Sequence, residues 1–251
     1  WSSELSKLIS NAFLAQRVSS INSVALICQA TGANIEEVSK AIGSDSRIGQ
    51  NFLKPGPGFG GSCFKKDILN LVYICNHYGL YEISSYWEGI ININNWQKKR
   101  LTKLIVQKLF GTISGKKIAI FGFSFKANTN DTRESPAIDI SNDLLKEGAI
   151  LSIYDPRVSY EQIKNDLDTK DKFSSQKSSE GVWEFQEDIY KTTKNADAIL
   201  ILTEADEFTV LDWSEISKNI RYPSWVFDTK GLCNTNDALT FDINVWTIGK
   251  G

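Results

Sequence analysis

The sequence predicts an α/β chain in two parts: an all-helical domain over residues 1–112, then a parallel-sheet domain over residues 113–251. Three observations predict it. Apolar residues keep a helical spacing through the first part, as in Leu5, Leu8, Ile9, Ala12, Phe13, Ala15, Val18, Ile21, Ala25 and Cys28. After Gly115 the period changes to short apolar runs of strand length, such as Ile118–Phe121 and Ala198–Leu202. These runs alternate with helical stretches, the pattern of a doubly wound parallel sheet.

Each element has its own signal. Gly32 stops the first helix, where Ser10, Ala12, Ala15 and Ser19 suit close packing. Asn34 is an N-cap for the second helix, Glu37 takes the capping-box position, and Gly43 ends it. A Gly/Pro-rich loop, 44–61, leads to a helix from about Ser62. Its apolar side is Ile68, Leu69, Leu71, Val72, Ile74 and Cys75, and Gly79 is its C′ stop. A long helix runs from about Tyr81 to Leu109. Its basic end (Lys98, Lys99, Arg100, Lys103, Lys108) offsets the helix dipole. Lys117–Gly122 is a buried strand, and Pro136–Gly148 is a helix with proline in its first turn. Ile150–Tyr154 is a strand closing at Asp155-Pro156, and Tyr160–Leu167 is a helix. The polar, Ser/Lys-rich residues 168–181 read as a mobile surface loop. Ala198–Leu202, Trp225–Phe227 and Val245–Ile248 are strands, and Trp213–Asn219 is a helix.

Composition excludes several classes. The 251 residues are 41% hydrophobic and 23% charged, ordinary for a globular chain. With 28 Lys+Arg against 30 Asp+Glu there is no global field for a polyphosphate, so nucleic-acid binding is not expected. No apolar run approaches the roughly 18 residues of a membrane span. The four cysteines (Cys28, Cys63, Cys75, Cys233) form no C-x-x-C pair and no disulfide framework, which suits a reducing, cytoplasmic setting. One histidine, His77, makes a metal site unexpected, and its position reads as a helix end. The Asn130-Asp131-Thr132 sequon is idle in such a compartment. The chain opens in helical pattern without an initiator Met, as a piece of a longer protein would.

The sharpest chemistry lies in Gly58-Phe59-Gly60-Gly61-Ser62-Cys63-Phe64-Lys65-Lys66-Asp67. Glycines let the backbone approach a ligand and expose its N–H groups. Cys63 falls at the first turn of a helix, where free N–H groups and Lys65 and Lys66 favour an anionic sulfur. Asp67, four residues on, shares its face and can move a proton. A buried structural cysteine fits the same pattern equally. Lys7 and Asn11 form an i, i+4 pair. A lysine there can face an oxyanion or merely snorkel at a surface. After the first strand, Lys126 and Arg133 suit a phosphate, while Gly122-x-Ser124-x-x-Ala127 lacks the three glycines of a dinucleotide turn. A mononucleotide or nucleotide-sugar suits that turn better, and a solvated loop with Ser135 as a helix cap is the alternative. Asp155 suits a ribose or a plain Asp-Pro turn.

Together these words resemble the nucleotide-sugar dehydrogenase family, its UDP-glucose-oxidising members in particular. The resemblance covers essentially the whole chain as the C-terminal half to two thirds of such an enzyme. It rests on Trp1–Phe13 with Lys7 and Asn11, Ala41–Gly49 with Arg47, the cysteine loop, Phe125-Lys126 and Asp131-Thr-Arg133-Glu-Ser135. It implies a central helical dimerisation domain followed by a Rossmann-like UDP-binding domain. It also implies oxidation of C6 of UDP-glucose to UDP-glucuronate with two NAD⁺. Cys63 resembles the nucleophile that forms a thiohemiacetal and then a thioester. Lys7 resembles the oxyanion stabiliser, and Asp67 the group that assists water. Asn11, Lys54, Pro55, Gly56, Pro57, Gly58, Phe59 and Gly60 resemble sugar and diphosphate contacts. Phe125, Lys126 and Lys230 resemble uridine and sugar contacts. Arg47 resembles an arginine offered across a dimer interface. Cys63, Phe64, Lys65, Lys66 and Arg133 resemble NAD contacts.

Departures accompany the likeness. The family's NAD-binding domain, with its G-x-G-x-x-G and a hydrolytic glutamate, is absent from this sequence, which implies no turnover by this chain alone. Lys65 stands where Gln or Pro is commoner. Asp228-Thr-Lys230 stands where many relatives carry Asp-Gly-Arg. A UDP-N-acetylhexosamine or GDP-mannose dehydrogenase fits the words less closely. A non-catalytic UDP-sugar-binding and dimerisation module is the reading from another class.

Overall fold

A computed structural model describes residues 1–167 and 181–251. The loop read over 168–181 lies outside these, except at Gly181, which is buried rather than on a surface. Its amide donates to the Leu145 carbonyl at 2.7 Å, and a Cβ there would lie 1.9 Å from the Ala149 carbonyl oxygen. The chain forms two units, Trp1–Lys98 with Ile248–Gly251, and Lys99–Thr247.

The first unit is helical: α1 (Ser2–Thr31), α2 (Ile35–Gly43), α3 (Phe64–His77) and most of α4 (Tyr81–Lys108). Gly32, at φ 77°, closes α1 in the left-handed conformation that glycine adopts without strain. The small side chains Ala12 and Ala15 let α1 lie against α3, and both join a core with Ile68, Leu71, Cys75, Trp87 and Ile90. The Asn34 side chain caps α2 by accepting from the Glu36 amide. The capping box expected with Glu37 is therefore not formed; a second support comes from Ile248–Gly251 instead. Gly249 accepts from the Ile35 amide at 3.1 Å, Lys250 bridges Asn34, and Lys250 pairs with Glu36 at 3.1 Å. Gly249 approaches so closely that a Cβ would lie 2.3 Å from the Ile35 side chain.

The second unit begins inside α4, earlier than the boundary read at 112/113. Leu101, Ile105 and Leu109 on that helix belong to the sheet core, which explains the shift. Part of the basic stretch of α4 is buried. Lys98 is buried, and burial lowers the Arg100 pKa from its ordinary range. The strands are β1 (Lys117–Phe121), β2 (Ile150–Tyr154), β3 (Val182–Phe185), β4 (Ala198–Ile201), β5 (Ser224–Asp228) and β6 (Ile243–Thr247). All pairings are parallel, in the order β3-β2-β1-β4-β5-β6. Ile118 and Ile120 face one core with Leu144 and Leu151; Ala119 and Phe121 face another with Ile199 and Val226. This is why β1 reads as an unbroken apolar run: both faces are covered. The helices are α5 (Pro136–Lys146), α6 (Tyr160–Asp166), α7 (Ile189–Thr192), α8 (Trp213–Asn219) and α9 (Thr235–Leu239). Ser135 caps α5 with Pro136 at its start, as read.

Strand order reverses between β1 and β4. In open parallel sheets this is the point where ligands bind, beyond the strands' carboxyl ends. No helix among the described residues is long and apolar enough to cross a membrane, and no His/Cys/Asp/Glu group there has metal-binding form.

Candidate active site

The first unit holds the thiol loop. Cys63 is exposed and stands as the N-cap residue of α3, one position before the helix proper. Its side chain makes no capping hydrogen bond, so the first-turn N–H groups lack that side-chain partner. Its carbonyl accepts from the Asp67 amide at 2.8 Å. Asp67 is buried one turn into α3, and Asn11 Nδ2 of α1 donates to Asp67 Oδ2 at 2.6 Å. That bond joins the two motifs read separately in the sequence. Lys7, one turn before Asn11, is exposed. The buried-cysteine alternative for Cys63 is not what the fold adopts. It does apply to Cys28 and Cys75, which are buried on helix faces. Cys233 is partly buried, and burial, with Asp228 beside it, raises its thiol pKa. His77 ends α3 and lies among Tyr73 and Tyr78.

The glycine loop is less open than its composition suggests. Three amide side chains occupy its backbone. Asn22 Oδ1 accepts from the Gly56 amide at 2.8 Å, and Gln97 Nε2 donates to the Gly56 carbonyl at 3.1 Å. Asn94 takes both polar groups of Phe59, accepting from its amide at 2.8 Å and donating to its carbonyl at 3.1 Å. Each such bond contributes about 0.5–1.5 kcal/mol net. Gly58, at φ 139°, has no room for a side chain: a Cβ would lie 2.8 Å from Asn94 Oδ1. The Phe59 ring is buried and packs edge-on against Phe64, centroids 5.8 Å apart. Pro57 is buried, Pro55 and Gly60 are half-buried, and Lys54, like Lys66, is exposed. Sequence reasoning missed Asn22, Asn94 and Gln97, because an amide on a helix reads as a surface residue. Arg47 is almost fully exposed and pairs with Asp45 at 2.6 Å, which lowers the Asp45 pKa.

The second unit carries the nucleotide candidates at the carboxyl ends of its strands. Phe125 and Lys126 lie in the turn after β1, with the Lys126 ammonium 5.4 Å from the Phe125 ring centre. Arg133 pairs with Asp131 at 2.7 Å, and this bond holds the Asp131 carboxyl below its usual value. Lys230 follows β5, its amide donating to the fully buried Asp228 at 3.0 Å. A cleft at the β1/β4 switch is lined by Gly122, Ser124, Thr203, Glu204 and Arg157 among others.

The fit to a dinucleotide divides between the units. In the second, the turn after β1 is taken by the chain's own carboxylate. Asp155 Oδ2 accepts from Phe123 and Ser124 at 2.6 and 3.1 Å, and Oδ1 from Arg157 and Val158 at 2.8 and 3.0 Å. Asp155 is thus a turn staple rather than a free ribose acid, and those amides are not offered to a cofactor diphosphate. In the first unit the side-chain-uncapped start of α3, with Lys66 exposed beside it, suits one edge of an anionic cofactor.

A helical unit with an exposed cysteine after a glycine loop and a doubly wound unit define the class. Residues 1–96 match the central domain, and residues 119–235 the UDP binding domain, of the UDP-glucose/GDP-mannose dehydrogenase family. The chain belongs to that family. It is 48% identical over 263 residues to UDP-glucose 6-dehydrogenase 3 of Oryza sativa subsp. japonica, covering 100% of this chain and 54% of that protein. It is also 48% identical over 249 residues to UDP-glucose 6-dehydrogenase of Caenorhabditis elegans, covering 99% of this chain and 51% of that one. The chain therefore spans about half the length of the curated relatives it matches. Among solved structures, a UDP-glucose dehydrogenase from Pyrobaculum islandicum superposes with TM-score 0.80 at 26% identity, over 98% of this chain and 50% of that one.

Proposed function

We propose that this chain is the substrate-binding and covalent-catalysis part of an NAD-dependent dehydrogenase that oxidises C6 of UDP-glucose to UDP-glucuronate. One observation carries the reading: an exposed Cys63 at the start of α3, with the Asn11–Asp67 pair one turn along. The relatives at 48% identity favour UDP-glucose over N-acetylated or GDP-linked sugars.

NAD⁺ supplies the acceptor for each of two hydrides. The first oxidation removes a hydride from C6 and the proton of its hydroxyl, leaving an aldehyde. Cys63 Sγ then bonds to the aldehyde carbon, and the thiol proton ends on the new hydroxyl, giving a thiohemiacetal. Loss of the second hydride and that hydroxyl proton leaves a thioester. Water adds to it and the C–S bond breaks; one proton of the water ends on the Cys63 sulfur and the other leaves to solvent, so the thiol and a carboxylate are released. Lys7 balances charge developing on the oxygen. Asp67, oriented by Asn11, receives and returns protons. The backbone of Lys54–Gly60 holds the sugar and diphosphate, and Arg47 is an arginine for a partner subunit. Phe125, Lys126 and Lys230 hold the uridine and sugar. Cys63 to Lys66 and Arg133 border the cofactor, whose main site lies outside this chain. Self-association through the helical unit is supported by Phe13, Tyr73, Ile83, Tyr86 and Trp96, all left exposed. A cytoplasmic setting suits four cysteines that are all free.

In the protein at the length of its relatives, Cys63→Ala is expected to abolish UDP-glucuronate formation while UDP-glucose still binds. Normal turnover from that variant overturns the reading. This chain alone is expected to bind UDP-glucose in a calorimetric titration, to prefer it to GDP-mannose, and to produce no NADH.

A further inference from the structure

We propose that Asn94, seconded by Gln97 and Asn22, is a positioning residue for the thiol loop. The inference rests on the reading of Cys63 as the reacting group. The loop from Gly56 to Phe59 has no strand or helix to satisfy its backbone. Its four polar groups at Gly56 and Phe59 are met by side chains from α1 and α4. All three amides are almost fully buried (Asn22 3%, Asn94 4%, Gln97 2% exposed), so water does not substitute for them.

Asn94 is the centre of this clamp for two reasons. It grips both polar groups of one residue, which fixes the Phe59 peptide in orientation as well as distance. It also stands where a side chain at position 58 would lie, so the glycine there accommodates Asn94. The fixed Phe59 backbone in turn fixes its ring, and the ring packs on Phe64, the first residue of α3. Cys63 lies between these anchored points, next to Phe64. The sulfur is thereby held by the loop on one side and the helix on the other, without a bond of its own to α3.

Three readings on this chain test the inference: UDP-glucose affinity by calorimetry, the rate of Cys63 alkylation by iodoacetamide, and the melting temperature. Asn94→Ala is expected to weaken UDP-glucose about tenfold, the effect of one or two lost buried hydrogen bonds. It is also expected to shift the alkylation rate about fivefold toward that of the urea-unfolded chain, as the sulfur loses its fixed setting. Ile35→Ala, a buried change at the start of α2, serves as a purely structural control and should lower the melting temperature while moving neither reading. Asn94→Asp, which keeps an acceptor for the Phe59 amide, is expected to fall between wild type and Asn94→Ala, and it carries the comparison if Asn94→Ala does not fold. The inference is overturned if Asn94→Ala melts earlier yet keeps both the affinity and the alkylation rate of wild type. A wild-type chain that ignores UDP-glucose would sink the functional reading alone, and the alkylation rates would still decide the clamp.

Discussion

Asp67 is a carboxylate in an almost dry position, and the amide of Asn11 is its side-chain donor in the fold. Removing that donor leaves buried polarity without its partner. Asn11→Ala is expected to cost about 1–3 kcal/mol in urea unfolding, and Asn11→Asp more, since two carboxylates then meet. Glycines separate in the same way. Gly58→Ala meets both an unfavourable φ and Asn94, and should cost about 3 kcal/mol. Gly79, also at positive φ, faces open space, so Gly79→Ala should cost only about 1–2 kcal/mol. Urea midpoints of the two variants check the contrast. At this scale the exposed Cys63, and the Asn11 and Asp67 that the fold joins, stood out in the sequence by type and spacing. The sequence did not disclose the clamp. An asparagine on a long polar helix gives no sign that its amide faces a loop far away in the chain.

Helix ends divide by whether a side chain caps them. Ser135 closes α5 by accepting from the Ala137 amide, whereas Asn234 caps no amide of α9 and donates to the Asp237 side chain at the solvent-exposed surface. Ser135→Ala is therefore expected to lower stability by about 1 kcal/mol, and Asn234→Ala to leave it nearly unchanged, in parallel thermal melts. The long helices were legible because their period runs for many residues, and β1 and β4 because each is an unbroken apolar run. Among the described elements, β3, α7 and α9 were not: they are as short as the strands but lack the unbroken apolar run that marks β1 and β4. β3 also carries Glu184, a charge that looks misplaced until Lys117 is seen 2.8 Å away. The start of α6 did carry a readable sign, Ser159 and Gln162, which form a full capping box.

For the molecule as a whole, the alkaline limb of stability follows from two partly buried acids in the sheet unit. Burial raises the Tyr154 phenol, aided by its bond to Glu207, and burial raises the Cys233 thiol, aided by Asp228. Both groups keep their protons in the folded state at a pH where the unfolded chain releases them. Their contribution is complete below the ordinary values of 9.0 for the thiol and 10.0 for the phenol. It fades as pH rises beyond them. Melting temperatures should therefore fall above about pH 9, and Cys233→Ala with Tyr154→Phe should flatten that fall. The two-part layout was legible from the change of period near Gly115. The limits of the parts were not, because α4 serves both cores and gives no break in its own pattern.

The return of Ile248–Gly251 to the helices has a consequence for biogenesis. The sheet unit lies between two stretches of the helical one, so a ribosome must finish making it before the helical unit receives Ile248–Gly251. A nascent chain halted before Ile248 leaves the Ile35 amide without the Gly249 acceptor, and whatever follows Gly251 starts against α1, where Gly251 nestles beside Gly32.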